Sequence, residues 1–90
     1  MDFEWDEAKR AANIAKHGLD FADTIPAFND RFGIEEIEHI DGEDRWRLIA
    51  AIPRGIIFVI YTERDESLRI ISARQATKNE REKYHEGKGH

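Results

Sequence analysis

The chain has 90 residues, of which 40% are hydrophobic and 37% are charged; it contains no cysteine, and its formal net charge is −5. These values exclude a second domain and any disulfide or thiolate chemistry, and they argue against a protein that coats nucleic acid nonspecifically. The longest apolar run, at residues 56–61, is far shorter than the roughly 20 residues that span a bilayer, so we expect a cytoplasmic protein without a membrane segment. Residues 1–86 should form one domain, followed by a flexible tail at residues 87–90.

The charge is distributed unevenly along the chain. Residues 1–63 carry seven basic and fourteen acidic side chains, a net charge of −7, whereas residues 64–90 carry seven basic and five acidic side chains, a net charge of +2. A polyanion should therefore approach the C-terminal third, and a basic partner should prefer the rest of the chain.

The N-terminal residues predict a strand followed by a helix. Residues 1–5 alternate apolar and acidic side chains, which is typical of a strand with one buried face. Asp6 is a helix N-cap, and Gly18 follows the cationic end of a helix that reaches about Lys16. We expect this helix to lie close to a sheet through an apolar side formed by Ala8, Ala11, Ala12, Ile14 and Ala15.

A second, shorter helix is predicted from Phe21 to Phe28. Asp20 is its N-cap, and its apolar side chains recur at helical spacing. Pro26 lies beyond the first turn, where it lacks an amide hydrogen and its ring clashes with the preceding turn. It should therefore kink or shorten the helix.

The middle of the chain predicts an antiparallel sheet. An edge strand at residues 31–39 overlaps a segment from Glu35 to Asp44 that holds six acidic residues and neither lysine nor arginine, and Asp41 starts a turn within it. The strands at residues 45–52 and 56–61 are joined by so short a turn that they should pair antiparallel, the second in the centre of the sheet. Its second face must be covered, and a partner protein is one candidate.

The segment from Tyr61 to Glu80 predicts a hairpin and then a helix. A polar corner at residues 64–67 joins the central strand to a last strand at residues 68–73. Thr77 and Glu80 form a capping box that starts a C-terminal helix. The predicted fold is therefore α+β: a small, twisted, mainly antiparallel sheet with two N-terminal helices and one C-terminal helix.

This hairpin carries the cations that could form a site. If its loop has two or four residues, Thr62 faces Arg69, so Arg64 and Arg69 cluster at the hairpin tip while Glu63 lies on the opposite face of the sheet. An arginine fork can hold a phosphate in two hydrogen bonds and can stabilise charge on a pentavalent phosphorane. The tip is therefore one candidate centre for RNA cleavage.

The base of the hairpin is a second candidate. Arg74 lies seven residues from Ser67, or roughly 23 Å at 3.3 Å per residue, so it should not share a phosphate with Arg64 unless a bulge or a strong twist brings the two together. Lys78 and Arg81 accompany Arg74. These cations could bind phosphate, or they could be a solvated helix start balanced by Glu80 and Glu82.

Two residues at the end of the first helix could move protons. His17, with its neighbour Lys16, could act as a general acid or base near neutral pH, or it could simply cap the helix. His85, His90 and Glu86 lie in the tail without a preset metal geometry, and the acidic segment lacks the spacing of a calcium loop. We predict neither a metal nor a cofactor.

Five motifs, spread over nearly the whole chain, share an order with one protein family. They are Phe3-x-Trp5-Asp6-x-x-Lys9, Asn13-x-x-Lys16-His17-Gly18-x-x-Phe21, Asp41-Gly42-Glu43-x-Arg45, Tyr61-Thr62-Glu63-Arg64 and Arg69-Ile70-Ile71-Ser72-Ala73-Arg74-x-Ala76-Thr77-x-x-Glu80-Arg81-x-x-Tyr84. In combination they resemble the BrnT toxin family.

The resemblance implies a RelE-like fold and a ribonuclease that halts translation by cutting RNA without a metal or cofactor. It implies neutralisation by a BrnA-type, ribbon-helix-helix antitoxin, with operator DNA bound only through that antitoxin. The expected assembly is a homodimer, or a heterotetramer with the antitoxin. The recurrent polar residues of the family correspond here to Lys16, His17, Glu63, Arg64, Arg74 and Glu80.

We therefore consider two hypotheses. In the first, the chain is an endoribonuclease in which a 2′-hydroxyl attacks the adjacent phosphate, Arg64 stabilises the phosphorane, and Lys16 or His17 helps proton transfer, with Glu63 as the alternative base. RNA would then be held by Arg69, Arg74, Lys78 and Arg81. In the second, the chain is a noncatalytic protein-binding module that engages a DNA-binding partner in a transcriptional repressor complex.

Overall fold

Five strands form one sheet in the computed structural model, which describes residues 2–88. The elements in chain order are β1 (Asp2–Glu4), α1 (Glu7–His17), a 3₁₀ helix (Phe21–Asn29), β2 (Ile34–Ile40), β3 (Glu43–Ile52), β4 (Gly55–Arg64), β5 (Ser67–Gln75) and α2 (Lys78–Lys88). The strand order is β1-β5-β4-β3-β2; β1 runs parallel to β5, and all other pairs are antiparallel. The predicted α+β class, the edge strand and the central position of β4 are confirmed.

Two-residue turns set the register of the sheet. Asp41 (φ 51°) and Gly42 (φ 76°) both have left-handed backbone, as a tight hairpin turn with the right-handed twist of its strands requires. At the β3–β4 and β4–β5 hairpins, Ile52 pairs with Gly55 and Arg64 with Ser67 across their turns. The acidic segment at residues 35–44 is therefore a strand, a tight turn and the start of the next strand rather than a loop.

The hydrophobic core lies on one side of the sheet, which we call the core face. Leu48, Val59 and Ile70 project from the three central strands and pack in a cluster with Leu19 and Phe21. The 3₁₀ helix contacts β3, β4 and β5. It is capped by Asp20, as predicted, and adopts the tighter 3₁₀ form.

Helix α1 occupies a different place from the one predicted. The five apolar residues expected to face the sheet are exposed, Ile14 by 38%, and the only buried residue of α1 is Asn13. The helix lies beside the edge of β5, because β1 pairs with β5 only at residues 67–69. There the Asn13 side chain accepts a hydrogen bond from the Ala73 amide (3.1 Å) and donates one to the Ala73 carbonyl (2.8 Å).

Helix α2 starts at the predicted capping box. The Glu80 amide donates to the Thr77 hydroxyl (3.2 Å), and the Thr77 amide donates to the Glu80 carboxylate (2.8 Å). Tyr84 is the only buried residue of the helix, and its hydroxyl donates to Asp30 at 2.6 Å. Burial alone would raise the pKa of Asp30, but hydrogen bonds from Tyr84 and from the Ala51 and Phe32 amides lower it overall.

The helix continues through Gly87 and Lys88, where the sequence predicts a flexible tail, while Gly89 and His90 lie outside the described residues. None of the helices within residues 2–88 has the length and apolar character needed to cross a membrane.

Candidate functional site

Five arginines project from the side of the sheet opposite the core face, and we call this side the arginine face. Register pairs across the central strands establish it: Arg47 with Ile60, Thr62 with Arg69, and Phe58 with Arg74. These β4 residues alternate with the core residues Val59 and Tyr61, so their cross-strand partners share the opposite side. Continuing the β3–β4 register places Arg45 opposite Thr62, and strand alternation adds Arg64. The five are Arg45, Arg47, Arg64, Arg69 and Arg74.

A β-bulge brings the two predicted cationic centres onto the same face. Ile60 pairs with Ser72, but the next residue, Tyr61, pairs with Ile70, so Ile71 is the extra residue in β5. Arg69 and Arg74 are five positions apart, and without the bulge they would project from opposite faces. The bulge places them on the same face, toward opposite ends of β5.

Carboxylates at the borders of the arginine face pair with some of its arginines. Arg47 contacts Glu36 at 3.1 Å and Glu38 at 3.4 Å, and Arg69 contacts Glu4 at 3.6 Å. Arg64 is exposed and makes no ion pair with the carboxylates of residues 2–88. The Nε atoms of Arg45 and Arg47 are buried and have no acceptor within that same range.

Arg74 is held more firmly than the other four arginines of the arginine face. Its two terminal nitrogens donate to the two carboxylate oxygens of Glu80 at 2.8 and 3.0 Å, and its guanidinium carbon lies 4.2 Å from the centre of the Phe58 ring. The hydrogen bond to Glu80 raises the pKa of Arg74 and lowers that of Glu80. Arg81 donates to the Ala76 carbonyl at 2.8 Å, and Lys78 is exposed. At this end of the hairpin, two of the three cations stabilise the start of α2.

Lys16 and His17 lie at the border of the arginine face, beside β5. Both are exposed, and together with Ile71 and Ser72 they line a shallow cavity. Along β5, Ser72 is two positions from Arg74 and three from Arg69. Arg64 pairs with Ser67, which is five positions from Ser72. The structure therefore brings the candidate proton-transfer residues to the half of β5 that carries Arg74, with Arg69 next along the strand, rather than to the hairpin tip.

Glu63 lies apart from these groups. Strand alternation directs it to the core side of the sheet, where it lines a cavity with Trp46 and Asp44. Burial and then the nearby charges of Glu35 and Glu63 raise the pKa of Tyr61 to about 12. Glu63 is therefore separated by the sheet from Arg64.

Sequence reasoning did not identify Arg45 and Arg47 as site cations. The sequence nevertheless contains a pattern that indicates them: Arg-x-Arg opens the predicted strand at residues 45–52. Residues two apart in a strand project from the same face, so this spacing predicts two cations side by side. Within residues 2–88, no group of three or more His, Asp or Glu side chains is arranged to hold a metal ion.

A scan against models of protein families matches residues 5–80 to the family described as ribonuclease toxin, BrnT, of type II toxin-antitoxin system. The match covers 76 of the 90 residues. The chain belongs to the BrnT family. BrnT proteins are ribonuclease toxins, so the family and the ribonuclease function expected from the motifs are confirmed, and membership of a type II system implies an antitoxin partner. A search of the curated proteins finds no match to this chain.

The structure gives several BrnT motif residues a role in the fold. Asp6 caps α1, Asn13 completes the edge of β5, and Glu80 closes the capping box while it holds Arg74. The five-stranded sheet and three helices are compatible with the RelE-like fold that the resemblance implies.

Proposed function

We propose that this BrnT toxin is a metal-independent endoribonuclease that cuts RNA on the arginine face. The observation that supports this most is the position of five of the chain's nine arginines on one face of the sheet, although the net charge of the chain is −5. A planar guanidinium can bind two phosphate oxygens at once and stabilises charge that develops on a phosphorane.

We assign Arg69 to the phosphorane, because it is the nearer to Lys16 and His17; Arg64, at the hairpin tip, is the alternative. Arg64 has no carboxylate partner among residues 2–88, and the contact of Arg69 with Glu4, at 3.6 Å, is longer than a hydrogen bond. Ser72 lies beside His17, and Arg69 is three positions from Ser72 along β5, whereas the cross-strand partner of Arg64 is five positions away. Arg74, already bound to Glu80, would hold the RNA strand together with Lys78 and Arg81.

Lys16 and His17 are the groups that we assign to proton transfer. They border the arginine face beside Ser72, whereas Glu63 lies behind the sheet. The imidazole of His17 has one ring nitrogen that can accept a proton from the 2′-hydroxyl and another that can donate one to the leaving oxygen.

We further propose that the toxin acts in the cytoplasm, as a homodimer or in a heterotetramer with a BrnA-type, ribbon-helix-helix antitoxin that neutralises it, and that operator DNA is bound only through the antitoxin. Membership of a type II toxin family supports the antitoxin. The exposed acidic turns of the sheet, including Asp41, Glu43 and Glu66, suit a basic DNA-binding partner.

The role of the arginines is tested by expression without antitoxin. We expect wild type and Arg54→Ala, which changes an arginine in the β3–β4 turn outside the arginine face, to arrest growth. Arg69→Ala should lower RNA cleavage by about 100-fold or more, as loss of a group that stabilises transition-state charge does. If Arg69→Ala arrests growth as strongly as wild type and Arg64→Ala does not, Arg64 stabilises the phosphorane instead.

A second experiment separates the enzyme from the noncatalytic module. Purified protein is incubated with RNA and a chelator between about pH 6 and 8, where histidine titrates. Cleavage under these conditions supports the metal-independent ribonuclease. RNA that stays intact while the protein still binds its antitoxin would instead favour the module.

A further inference from the structure

A cavity of about 290 Å³ lies between α2 and the arginine face, next to the arginines but not formed by the residues assigned to catalysis. Ile34, Ile49 and Phe58 form its apolar floor on the sheet, and the polar side chains around it are Glu36, Arg47, Asn79, Glu80 and Lys83. Sites for small ligands combine apolar surface with polar groups that fix the orientation of the ligand.

We propose that this cavity holds one unstacked nucleobase of the RNA, adjacent to the cut phosphate, and thereby selects the sequence that the toxin cleaves. The inference depends on the proposed ribonuclease function and adds a recognition site to it. RNA-binding proteins read single strands by stacking splayed bases on aromatic side chains and by hydrogen bonds to base edges. The cavity offers both.

Phe58 provides a rigid surface for stacking. One side of its ring is covered by the guanidinium of Arg74 at 4.2 Å, and Arg74 is in turn fixed by two hydrogen bonds to Glu80. Phe58 lines the cavity and Arg74 does not. Arg74 therefore holds the ring from outside the cavity, and the ring surface that faces the cavity is left for a base. An aromatic group that is already ordered loses little conformational entropy when a base stacks on it.

Asn79 provides the hydrogen bonds that a base edge needs. It is an exposed residue in the first turn of α2 and makes no side-chain hydrogen bond within residues 2–88. A side-chain amide offers donors and an acceptor side by side, so it can pair with a matching donor and acceptor of a base. Glu36 is held between Arg47 and Lys83, which fixes the opposite rim.

The size of the cavity and its position limit the ligand to one base. Its volume is close to the lower limit, about 300 Å³, of cavities that bind small molecules, so one planar base fits better than a dinucleotide. Arg47 belongs both to the arginine face and to the lining of the cavity, so a phosphate on the arginine face and a base in the cavity can belong to the same RNA strand.

Mapping of RNA 5′ ends in cells that express the toxin without antitoxin tests the inference. For wild type we expect a preference for particular bases at one position that flanks the cut. Asn79→Ala, an exposed change, removes the hydrogen bonds to the base edge and should reduce that preference by about ten-fold. Phe58→Leu, which keeps apolar volume but removes the ring, should also reduce it, because a base that is no longer stacked is not held against Asn79. Glu82→Ala, an exposed change on α2 outside the cavity, should keep the wild-type pattern.

The outcomes separate this inference from the proposed function. If wild type cuts RNA but both cavity variants keep its sequence preference, or if wild type has no preference beside the cut, the cavity does not bind a base although the ribonuclease assignment stands. If wild type produces no new RNA ends, the proposed ribonuclease function and the base-binding cavity both fail.

Discussion

A single buried amide side chain determines where α1 lies. Asn13 satisfies the amide and carbonyl of Ala73 on the open edge of β5 and also donates to the Leu19 carbonyl at 2.8 Å. It therefore acts as a one-residue substitute for the missing neighbouring strand. Its position in a BrnT motif is explained by this structural role, and the adjacent Lys16 and His17 depend on it for their place beside Ser72.

Asn13→Ala should destabilise the protein strongly. The substitution leaves buried backbone groups of Ala73 and Leu19 without partners, which costs about 1–3 kcal/mol per group before local relaxation. We expect a total loss of about 3 kcal/mol in the free energy of unfolding, measured by urea denaturation.

Two further variants serve as controls for this prediction. Asn13→Asp keeps an acceptor for the Ala73 amide but places a buried carboxylate oxygen against the carbonyls of Ala73 and Leu19, so its loss should be at least as large as that of Asn13→Ala. Ala15→Ser changes an exposed position of the same helix and should cost no more than about 0.5 kcal/mol. Equal stability of Asn13→Ala and Ala15→Ser would show that the edge contact contributes nothing.

At the scale of elements, α1 and the 3₁₀ helix are joined by one ion pair. Arg10 donates to both carboxylate oxygens of Asp20 at 2.8 Å each. The hydrogen bond from Arg10, and then that from the Ala22 amide, lowers the pKa of Asp20 to about 2. The same residue is thus the cap of one helix and the anchor of the other.

This ion pair should make stability depend on pH in the acidic range. Because the pKa of Asp20 is lower in the folded state than its ordinary value of 3.8, the stabilisation is complete above about pH 5 and is lost as pH falls toward 2. Asp20→Asn keeps a capping oxygen but removes the charge, so it should cost about 1 kcal/mol at pH 7 and much less near pH 2. Urea denaturation at both pH values measures the difference.

Asp23→Asn is the matched control, since Asp23 is exposed in the same 3₁₀ helix. It should show no such loss at pH 7. If Asp20→Asn and wild type keep a constant difference in stability at both pH values, the charge of Asp20 is not the source of the stabilisation.

At the scale of the whole molecule, positive charge is concentrated on one sheet face, although carboxylates pair with three of its arginines. Five arginines share one sheet face, while exposed carboxylates concentrate in the two turns at one end of the sheet. The net charge of −5 therefore does not describe what an RNA strand meets on the arginine face, although it does weaken long-range attraction.

RNA binding should accordingly depend on salt in proportion to the arginines in contact. For single strands, the logarithm of the affinity falls with the logarithm of the salt concentration by about 0.7 per neutralised phosphate, so three to five contacts give a slope of about −2 to −3.5. Arg69→Ala should reduce this slope by about 0.7, whereas Arg54→Ala should leave it unchanged. Fluorescence anisotropy with a single-stranded RNA across a salt series measures the slope. A slope near zero for wild type would mean that RNA does not bind through the arginine face.

The elements that could be predicted were those that depend on neighbouring residues in the chain. The caps at Asp6 and Asp20, the capping box of Thr77 and Glu80, and the turn at Asp41 are recognised because their hydrogen bonds close within a few residues. Alternation likewise predicted the strands and the separation of Glu63 from Arg64.

Other features depend on contacts between distant residues, and only the tertiary structure decided them. The sequence of α1 shows an alanine-rich side, but not that Asn13 would complete a strand edge sixty residues away. The bulge at Ile71 determines the sheet face from which Arg74 projects, and no local pattern in the sequence of β5 predicts this bulge. Likewise, α2 lies over part of the sheet face opposite the core. The sequence alone indicated that this face must be covered and offered a partner protein as one candidate. The sequence by itself thus determined the elements and the family, whereas the tertiary structure decided which charges meet, because that depends on register and packing between residues far apart in the chain.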